Sequence, residues 1–464
     1  MLHRTTFIDR RRHLCTRVTG PILLMGNGER SRNLPMNKLP FRQDSTFLYF
    51  TGCQTPAAAA LIEDGHCTLF LPEVGADDAL WHGPTPSHTE IGAAAGADAV
   101  HNLSQLSDIV GSRTPRVLAV ADEAQNTLAS RLGDIPLHFG EAYGDPELVD
   151  AIIALRRPKS DVELDEMRRA AALSRIAHER VMAATHPGGT ERALAALFHG
   201  ILAANDCDLG YGIILTQRGE VLHNHDHSGV LEAGRLVLLD GGGEVPSGYG
   251  VDITRTWPVS GQFSPRQRAV YEAVLEAQLA SIATCKRGTW YRDVHDASSK
   301  VIARFLADEG FLRCSPEEAV ATGAHALFFP HGVGHHLGLD VHDLENFGDL
   351  PSYPAGRARP EQFGTENLRL DLPLEDDWVV TIEPGIYFVE PILQDPLLRE
   401  RFKGVVDFDK ALSWLDFGGI RIEDDIRILG DTPEVLTHVA KTVDDIEALV
   451  GTGPCASHHL SARS

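Results

Sequence analysis

The sequence predicts an α+β protein of two domains: a smaller N-terminal α/β domain over residues 1–157 and a larger α+β domain over 158–446. Three observations carry this. Residues 1–157 alternate short apolar segments with turns. A proline- and arginine-rich seam, Arg156-Arg157-Pro158-Lys159-Ser160, precedes a long amphipathic helix. Beyond the helices come short strands in series, the pattern of a largely antiparallel sheet. At 464 residues, 43% apolar and 23% charged, the chain is long enough for two or three cores of ordinary size.

In the first part, Ile22-Leu23-Leu24-Met25 reads as a strand opened by Pro21 and stopped by Gly26-Asn27-Gly28. The apolar run Phe47-Leu48-Tyr49-Phe50 follows and stops at Thr51-Gly52. Ala59–Ile62 and Thr68–Leu71 flank Glu63-Asp64-Gly65 and read as a hairpin. Asp122 to Leu132 reads as a helix. Gly26-Asn27-Gly28 lacks the lysine and glycine spacing of a phosphate loop, and nothing here points to catalysis.

In the second part, Ser160 and Glu163 form a capping box for a helix running to about Thr185. Leu164, Met167, Ala171, Ser174 and Ala177 lie near one stripe of it. Thr190 begins a second helix. Ser264-Pro265-Arg266-Gln267 begins a third, with proline at the first helical position. Strands are expected at Gly212–Leu215, Leu236–Leu239, Asp252–Trp257, Leu327–Phe329, Val379–Ile382 and Ile420–Ile428. Residues 447–464 read as a disordered tail.

Acidic residues outnumber basic ones 65 to 42, for a formal charge of -23, which argues against a backbone-binding nucleic-acid protein. Arg10, Arg11 and Arg12 are the one basic cluster. No stretch approaches the roughly 18 apolar residues of a membrane span. The N-terminal basic residues have no apolar run behind them, so the expected setting is cytoplasmic. Seven scattered cysteines form neither a disulfide framework nor a CxxC metal site.

The informative feature is where carboxylates stand. Asp240 ends the apolar strand Leu236-Val237-Leu238-Leu239 and is followed by Gly241-Gly242-Gly243. Asp252 interrupts Val251-Asp252-Ile253-Thr254. Glu383 terminates Trp378-Val379-Val380-Thr381-Ile382, and Glu423 follows Ile420-Arg421-Ile422. A buried ionised carboxylate is costly unless paired or bound to metal. The segment from Pro330 to Asp343 packs His331, His335, His336 and His342 among Gly332, Gly334 and Gly338. Two aspartates, two glutamates and one histidine can hold two metal ions and activate a water between them. So oxygen-rich a donor set favours Mn²⁺, with Co²⁺ or Zn²⁺ feasible. Residue by residue, a turn aspartate, a paired structural charge, a solvated edge and a core histidine stand as the plainer readings. No G-x-S-x-G elbow or HExxH helix competes.

These segments resemble the proline-specific metallopeptidases of the pita-bread fold, aminopeptidase P and prolidase. The resemblance rests on Asp240, on Asp252-Ile253-Thr254-Arg255-Thr256, on His331 through Asp343, on Glu383-Pro384-Gly385 and on Arg421-Ile422-Glu423-Asp424, in the family's order. One departure is the twelve residues from Asp240 to Asp252, one more than the family pattern, with the extra residue assigned to the turn at Val245-Pro246-Ser247. Phe41-Arg42-Gln43-Asp44-Ser45 through Phe50-Thr51-Gly52 resembles the group's non-catalytic N-terminal domain. The resemblance implies a pita-bread catalytic domain whose metal ligands are Asp240, Asp252, His335, Glu383 and Glu423.

It further implies hydrolysis of the bond between an N-terminal residue Xaa and a following proline, with a metal-bridging hydroxide as nucleophile. Glu383 would serve as general base, and His342 would donate to the carbonyl oxygen or oxyanion. His331 and His223 would shape the pocket, Arg421 would order its carboxylate neighbours, and Tyr387 would offer a wall to the proline ring. A strand-surface ion pair is the plainer reading of Arg421, and His225 and His227 read as loop residues. The implied partners are peptides with proline second and further copies of the chain, in a homodimer or homotetramer. A dipeptidase is the alternative: Arg369, fourteen residues before Glu383, matches an arginine that faces the proline carboxylate in human-type prolidases. Phe388–Phe417 is long, as in that branch, whereas Phe47–Gly52 and Asp252–Thr256 resemble bacterial aminopeptidase P. A creatinase-like hydrolase and a non-catalytic binding module are less consistent with a complete ligand set.

Overall fold

The first apolar strand runs Ile22–Met25 (β1), one residue after Pro21, in a computed structural model that describes residues 2–75 and 78–456. It pairs antiparallel with Ala59–Glu63 (β2), which turns into His66–Leu71 (β3). The turn holds Asp64 and Gly65 at φ 51° and 82°, the two left-handed residues that an Asp-Gly hairpin turn requires. Ala99–Asn102 (β4) and Arg116–Val117 (β5) complete a five-stranded sheet in the order β4-β3-β2-β1-β5. Its apolar face packs Leu23, Met25, Leu61, Phe70 and Val117 with Leu106, Val110 and Ala129 from the helices below.

The run Phe47–Phe50 is helical, not extended. Ser45–Thr51 is capped by the Asp44 side chain, which accepts from the Phe47 amide, and ended by Gly52 at φ 60°. All seven residues are buried. A short apolar run carries no periodicity of its own, so the flanking caps decide its state.

The backbone divides into two units: residues 1–157 with 344–351, and 158–343 with 352–464. The excursion 344–351 was not expected from the sequence. The second unit opens with the helix Asp161–Ala183, whose Ser160/Glu163 capping box is formed as expected. Thr190 caps Glu191–Ala203, and Ser264 with Gln267 caps Pro265–Thr284. The strands are Asp208–Leu209 (β6), Ile214–Thr216 (β7), Leu236–Asp240 (β8), Gly243–Glu244 (β9), Thr254–Pro258 (β10), Val379–Ile382 (β11), Gly385–Tyr387 (β12), Gly419–Arg421 (β13), Asp424–Arg427 (β14) and Glu434–Val435 (β15). They pair antiparallel as β10-β8-β7, β11-β14-β15, β12-β13 and β6-β9. This is the α+β architecture expected, and its strand ends carry the acidic residues.

Four local readings are corrected. Leu327–Phe329 is no strand; Ala324–Leu327 forms a short 3₁₀ turn there. Asp252 and Ile253 precede β10 instead of lying in it. The expected strand Ile420–Ile428 is two strands with different partners, broken at Ile422-Glu423 because the Glu423 amide donates to the Thr254 carbonyl (3.0 Å). The tail expectation fails over 447–456: Val443–Leu449 is a helix, Val450 and Ala456 are buried, and the Gly453 amide donates to the Ala183 carbonyl (2.9 Å). Residues 457–464 lie outside the described residues. Among those described, no helix is long and apolar enough to cross a membrane.

Candidate metal centre

Asp240 is the last residue of β8, opposite Ile214 of β7 and Thr254 of β10. The glycines after it let the chain fold back tightly. The Gly241 amide donates to the Ile253 carbonyl (3.0 Å), and a Cβ at Gly242 would overlap the Val251 carbonyl oxygen. Asp252 is thereby brought beside Asp240. The longer spacing between the two aspartates includes a tight turn, in which the Val245 amide donates to Tyr249 and the Gly248 amide to Val245. The Tyr211 hydroxyl contacts Oδ1 of Asp240 at 2.6 Å and also Oδ1 of Asp252.

His335 enters from the glycine-rich loop. Its amide donates to Thr381 Oγ1 (3.1 Å), and the Thr381 amide donates back to the His335 carbonyl (3.0 Å), which ties the loop to β11. Nδ1 of His335 faces the His336 carbonyl at 3.0 Å, so Nδ1 carries the proton. Nε2 therefore points its lone pair toward Asp252 Oδ2 (3.5 Å) and Glu383 Oε1 (3.8 Å). Glu383 follows β11, its amide donating to the Val333 carbonyl (2.8 Å). Glu423 sits at the break between β13 and β14, and the Thr254 hydroxyl donates to its Oε2 (2.7 Å). Four carboxylates and one imidazole thus converge from five segments.

This donor set fits divalent cations. One donor atom each from Asp252, His335 and Glu423 lies within 4.8 Å of the others, and all three residues are buried. Among the described residues, no group hydrogen-bonds Oε1 of Glu423, a buried oxygen. Leaving such an atom unpaired is costly. Burial, then the charges of Asp252, Glu383 and Asp240, push the Glu423 carboxyl well above its usual range. Burial pushes Glu383 up to about 7 against the opposing pull of His335 and Arg421. Asp240 is also raised, chiefly by burial, whereas at Asp252 burial is outweighed by the neighbouring His335 and Tyr211, and the carboxyl is lowered. Mutual repulsion of this kind is relieved by bound cations, and a neutral imidazole with a free Nε2 lone pair is a ligand.

Arg421 is no surface ion pair. It is buried, and its guanidinium reaches Asp240 Oδ2 (2.6 Å), the Thr254 hydroxyl (3.1 Å) and the Tyr387 hydroxyl (3.1 Å). Tyr387 is fully buried, and its hydroxyl lies 2.9 Å from Nε2 of His331. Nδ1 of His331 donates to the Gly332 carbonyl (2.8 Å), so Nε2 accepts from Tyr387, which in turn accepts from Arg421. Burial pushes His331 down to about 3 and Tyr387 up to about 12, so both stay neutral near pH 7. His342 is exposed, its ring 4.2 Å from that of His335. His223 is exposed; partial burial and then Arg421 lower its pKa, with Asp240 and Arg369 also within electrostatic reach. His225 and His227 lie in the loop after Val221, as expected.

Sequence reasoning missed Tyr211, Thr254, Thr381 and Asp425. Asp425 is buried and accepts from the Asp252 amide (3.2 Å). Its neighbour Asp424 is held by Arg255 and Lys441, each at 2.7 Å. Of these, Asp425 had a signal, as part of the acidic run Glu423-Asp424-Asp425. Thr254 lay inside the Asp252–Thr256 segment without a role of its own, and a lone tyrosine between two glycines and the strand threonine Thr381 carry no signal.

Residues 165–429 match the family model described as "Metallopeptidase family M24", and residues 7–117 match "Aminopeptidase P, N-terminal domain". The chain is 34% identical over 429 residues to a probable Xaa-Pro aminopeptidase of Verticillium alfalfae, covering 89% of this chain and 88% of the relative. It is 31% identical over 448 residues to the Xaa-Pro dipeptidase of Homo sapiens, covering 92% and 88%. Among solved structures, the aminopeptidase PepP of Pseudomonas aeruginosa superposes with a TM-score of 0.78 at 28% identity, covering 97% of this chain and 98% of that one. Aminopeptidase P of E. coli with the inhibitor Pro-Leu superposes at 0.79, with 27% identity and the same coverage. The chain therefore belongs to metallopeptidase family M24, in its aminopeptidase P group of pita-bread fold, and is a metal-dependent Xaa-Pro aminopeptidase.

Proposed function

We propose that this chain removes the N-terminal residue from peptides longer than two residues when proline stands second. The observation that carries the chemistry is the convergence of Asp240, Asp252, His335, Glu383 and Glu423, with a buried glutamate oxygen left for a cation. Bound at these residues, two divalent ions, with Mn²⁺ favoured by the oxygen-rich donors, would polarise the scissile carbonyl and lower the pKa of water.

The side chains supply the rest. Glu383 keeps 18% of its side chain exposed at the edge of the cluster, which leaves it able to take a proton from an attacking water as general base. His342, exposed at the edge of the cluster, is placed to donate a hydrogen bond to the carbonyl oxygen as negative charge develops. Arg421 fixes Asp240 and, through Tyr387, the orientation of the neutral His331. Acidic groups around the centre attract the free amino terminus that an exopeptidase requires. A cytoplasmic setting and assembly into dimers or tetramers belong to the same reading.

One observation favours a second reading. Arg369 lies within electrostatic reach of His223 beside the site, and the human relative is a dipeptidase. An arginine there would recognise the carboxylate of an Xaa-Pro dipeptide. The test is steady-state hydrolysis of an Xaa-Pro dipeptide against an Xaa-Pro-Xaa-Xaa peptide by chelator-stripped protein, with and without added Mn²⁺. Cleavage of the longer peptide only with metal is expected. Turnover of the dipeptide alone moves the assignment to dipeptidase and makes Arg369 the residue to mutate.

A further inference from the structure

We infer that Lys159 is a positioning residue for His342, acting through Asp343. This deepens the peptidase reading above and rests on it. Lys159 Nζ lies 3.1 Å from Asp343 Oδ2, and the two side chains are only 2% and 1% exposed. Lys159 stands two residues into the second unit, its amide donating to the Asp377 carbonyl (2.8 Å). Asp343 directly follows His342 and is the last residue before the chain leaves for 344–351.

The loop from His336 to Asp343 is built around this pair. The Asp343 amide closes it onto the His336 carbonyl (3.1 Å), and the Gly338 amide donates to Asp340 (3.1 Å). A Cβ at Gly338 would overlap Asp343 Oδ2 and lie 2.7 Å from Lys159 Cε, so the loop backbone rests directly on the ion pair. The Gly338 carbonyl accepts from the Gly250 amide (3.1 Å), two residues before Asp252. The Lys159 end of the helix also reaches that hairpin, because Glu163 accepts from the Tyr249 hydroxyl (2.7 Å).

His342 is exposed and its ring lies 4.2 Å from that of His335, so the course of the backbone that carries it decides how the two rings meet. A buried ion pair adds little stability over an apolar pair of the same size. It does, however, accept only one register of the loop that carries its carboxylate. Lys159 thereby sets where the His342 imidazole stands relative to His335.

The test pairs Lys159→Met with Asp343→Leu, which removes both charges and leaves neither orphaned. Metal-dependent Xaa-Pro hydrolysis by the wild type is established first; its absence fails the peptidase reading itself. With an active wild type, the double variant is expected to bind Mn²⁺ in the wild-type stoichiometry and keep its KM. Its kcat should fall about 10–100-fold, the cost of a small misplacement of a reacting group. His342→Ala alone should lower kcat by about 10²–10³-fold, and adding it to the double variant should bring kcat only to that same level and not to the product of the two losses. An unchanged kcat, a loss additive with His342→Ala, or a loss that follows lost metal overturns the inference. If the double variant does not fold, the same cycle is run on Lys159→Arg, which keeps the charge on a different geometry. There too, an unchanged kcat or an additive loss overturns it.

Discussion

Tyr211 has one hydroxyl proton and touches two carboxylates, Asp240 and Asp252. It can donate to only one of them. The two carboxyls shift in opposite directions, Asp240 up chiefly through burial and Asp252 down because its neighbours outweigh burial. Tyr211 therefore fixes the distance and rotation of two metal-ligand candidates before any cation arrives. Removing the hydroxyl by Tyr211→Phe keeps the ring and is expected to weaken Mn²⁺ binding about 10–100-fold, as the loss of a partner that orients metal ligands does. Calorimetric titration measures it directly, and an unchanged Kd would reduce Tyr211 to a bystander. The acidic members of this cluster were legible from sequence because each ends or interrupts an apolar strand, where a charge needs a reason. Tyr211 was not, since a tyrosine beside glycine violates no local pattern.

The elements act by close approach of backbone. At Gly242 a Cβ would overlap the Val251 carbonyl oxygen, and at Gly334 it would overlap the Thr381 carbonyl oxygen. These are the two places where the chain segments carrying Asp240 and Asp252, and then His335 and Glu383, are pressed together. Gly242→Ala must push the two arms of the hairpin apart, at a cost of about 1–3 kcal/mol, and is expected to weaken Mn²⁺ binding as well. Gly200, exposed in the helix Glu191–Ala203 with open space around it, is the control. Gly200→Ala should stabilise by about 0.5–1 kcal/mol and leave binding unchanged. Urea unfolding and metal titration of both variants decide the point; equal behaviour would deny the hairpin its role. Sequence made the capped helices readable, because Ser160/Glu163 and Ser264/Gln267 are local signals. The break at Glu423 was not readable, because the bond that makes it, from its amide to Thr254, joins positions 169 residues apart in sequence.

Across the whole molecule, buried titratable groups of two kinds make stability depend on pH in opposite directions. His178 and His295 are fully buried, and desolvation pushes each down to about 3. Between about pH 3 and 6.5 the unfolded chain binds protons that the fold refuses, so their contribution rises with pH. Glu383 is the reverse case. Its folded pKa of about 7 lies above the ordinary 4.5, so the fold binds the extra proton, and its contribution falls as pH rises from 4.5 to 7. Glu423, also raised well above its usual range by burial and its acidic neighbours, contributes in the same direction. Cations act only on the second group: they favour ionised carboxylates and must displace the protons, whereas the histidines titrate alike with and without metal. The difference between melting temperatures with and without Mn²⁺ therefore isolates the carboxylate cluster. Each displaced proton is worth about 1.4 kcal/mol per pH unit, and binding to the fold alone raises Tm by mass action. The increment is expected to grow from pH 5 to pH 8 in thermal melts of chelator-stripped protein, and to shrink sharply in Glu423→Gln, which removes a ligand and its titration together. An increment that stays flat over that range would mean that the cations bind elsewhere and that the raised carboxyls of Glu383 and Glu423 hold their protons for a structural reason.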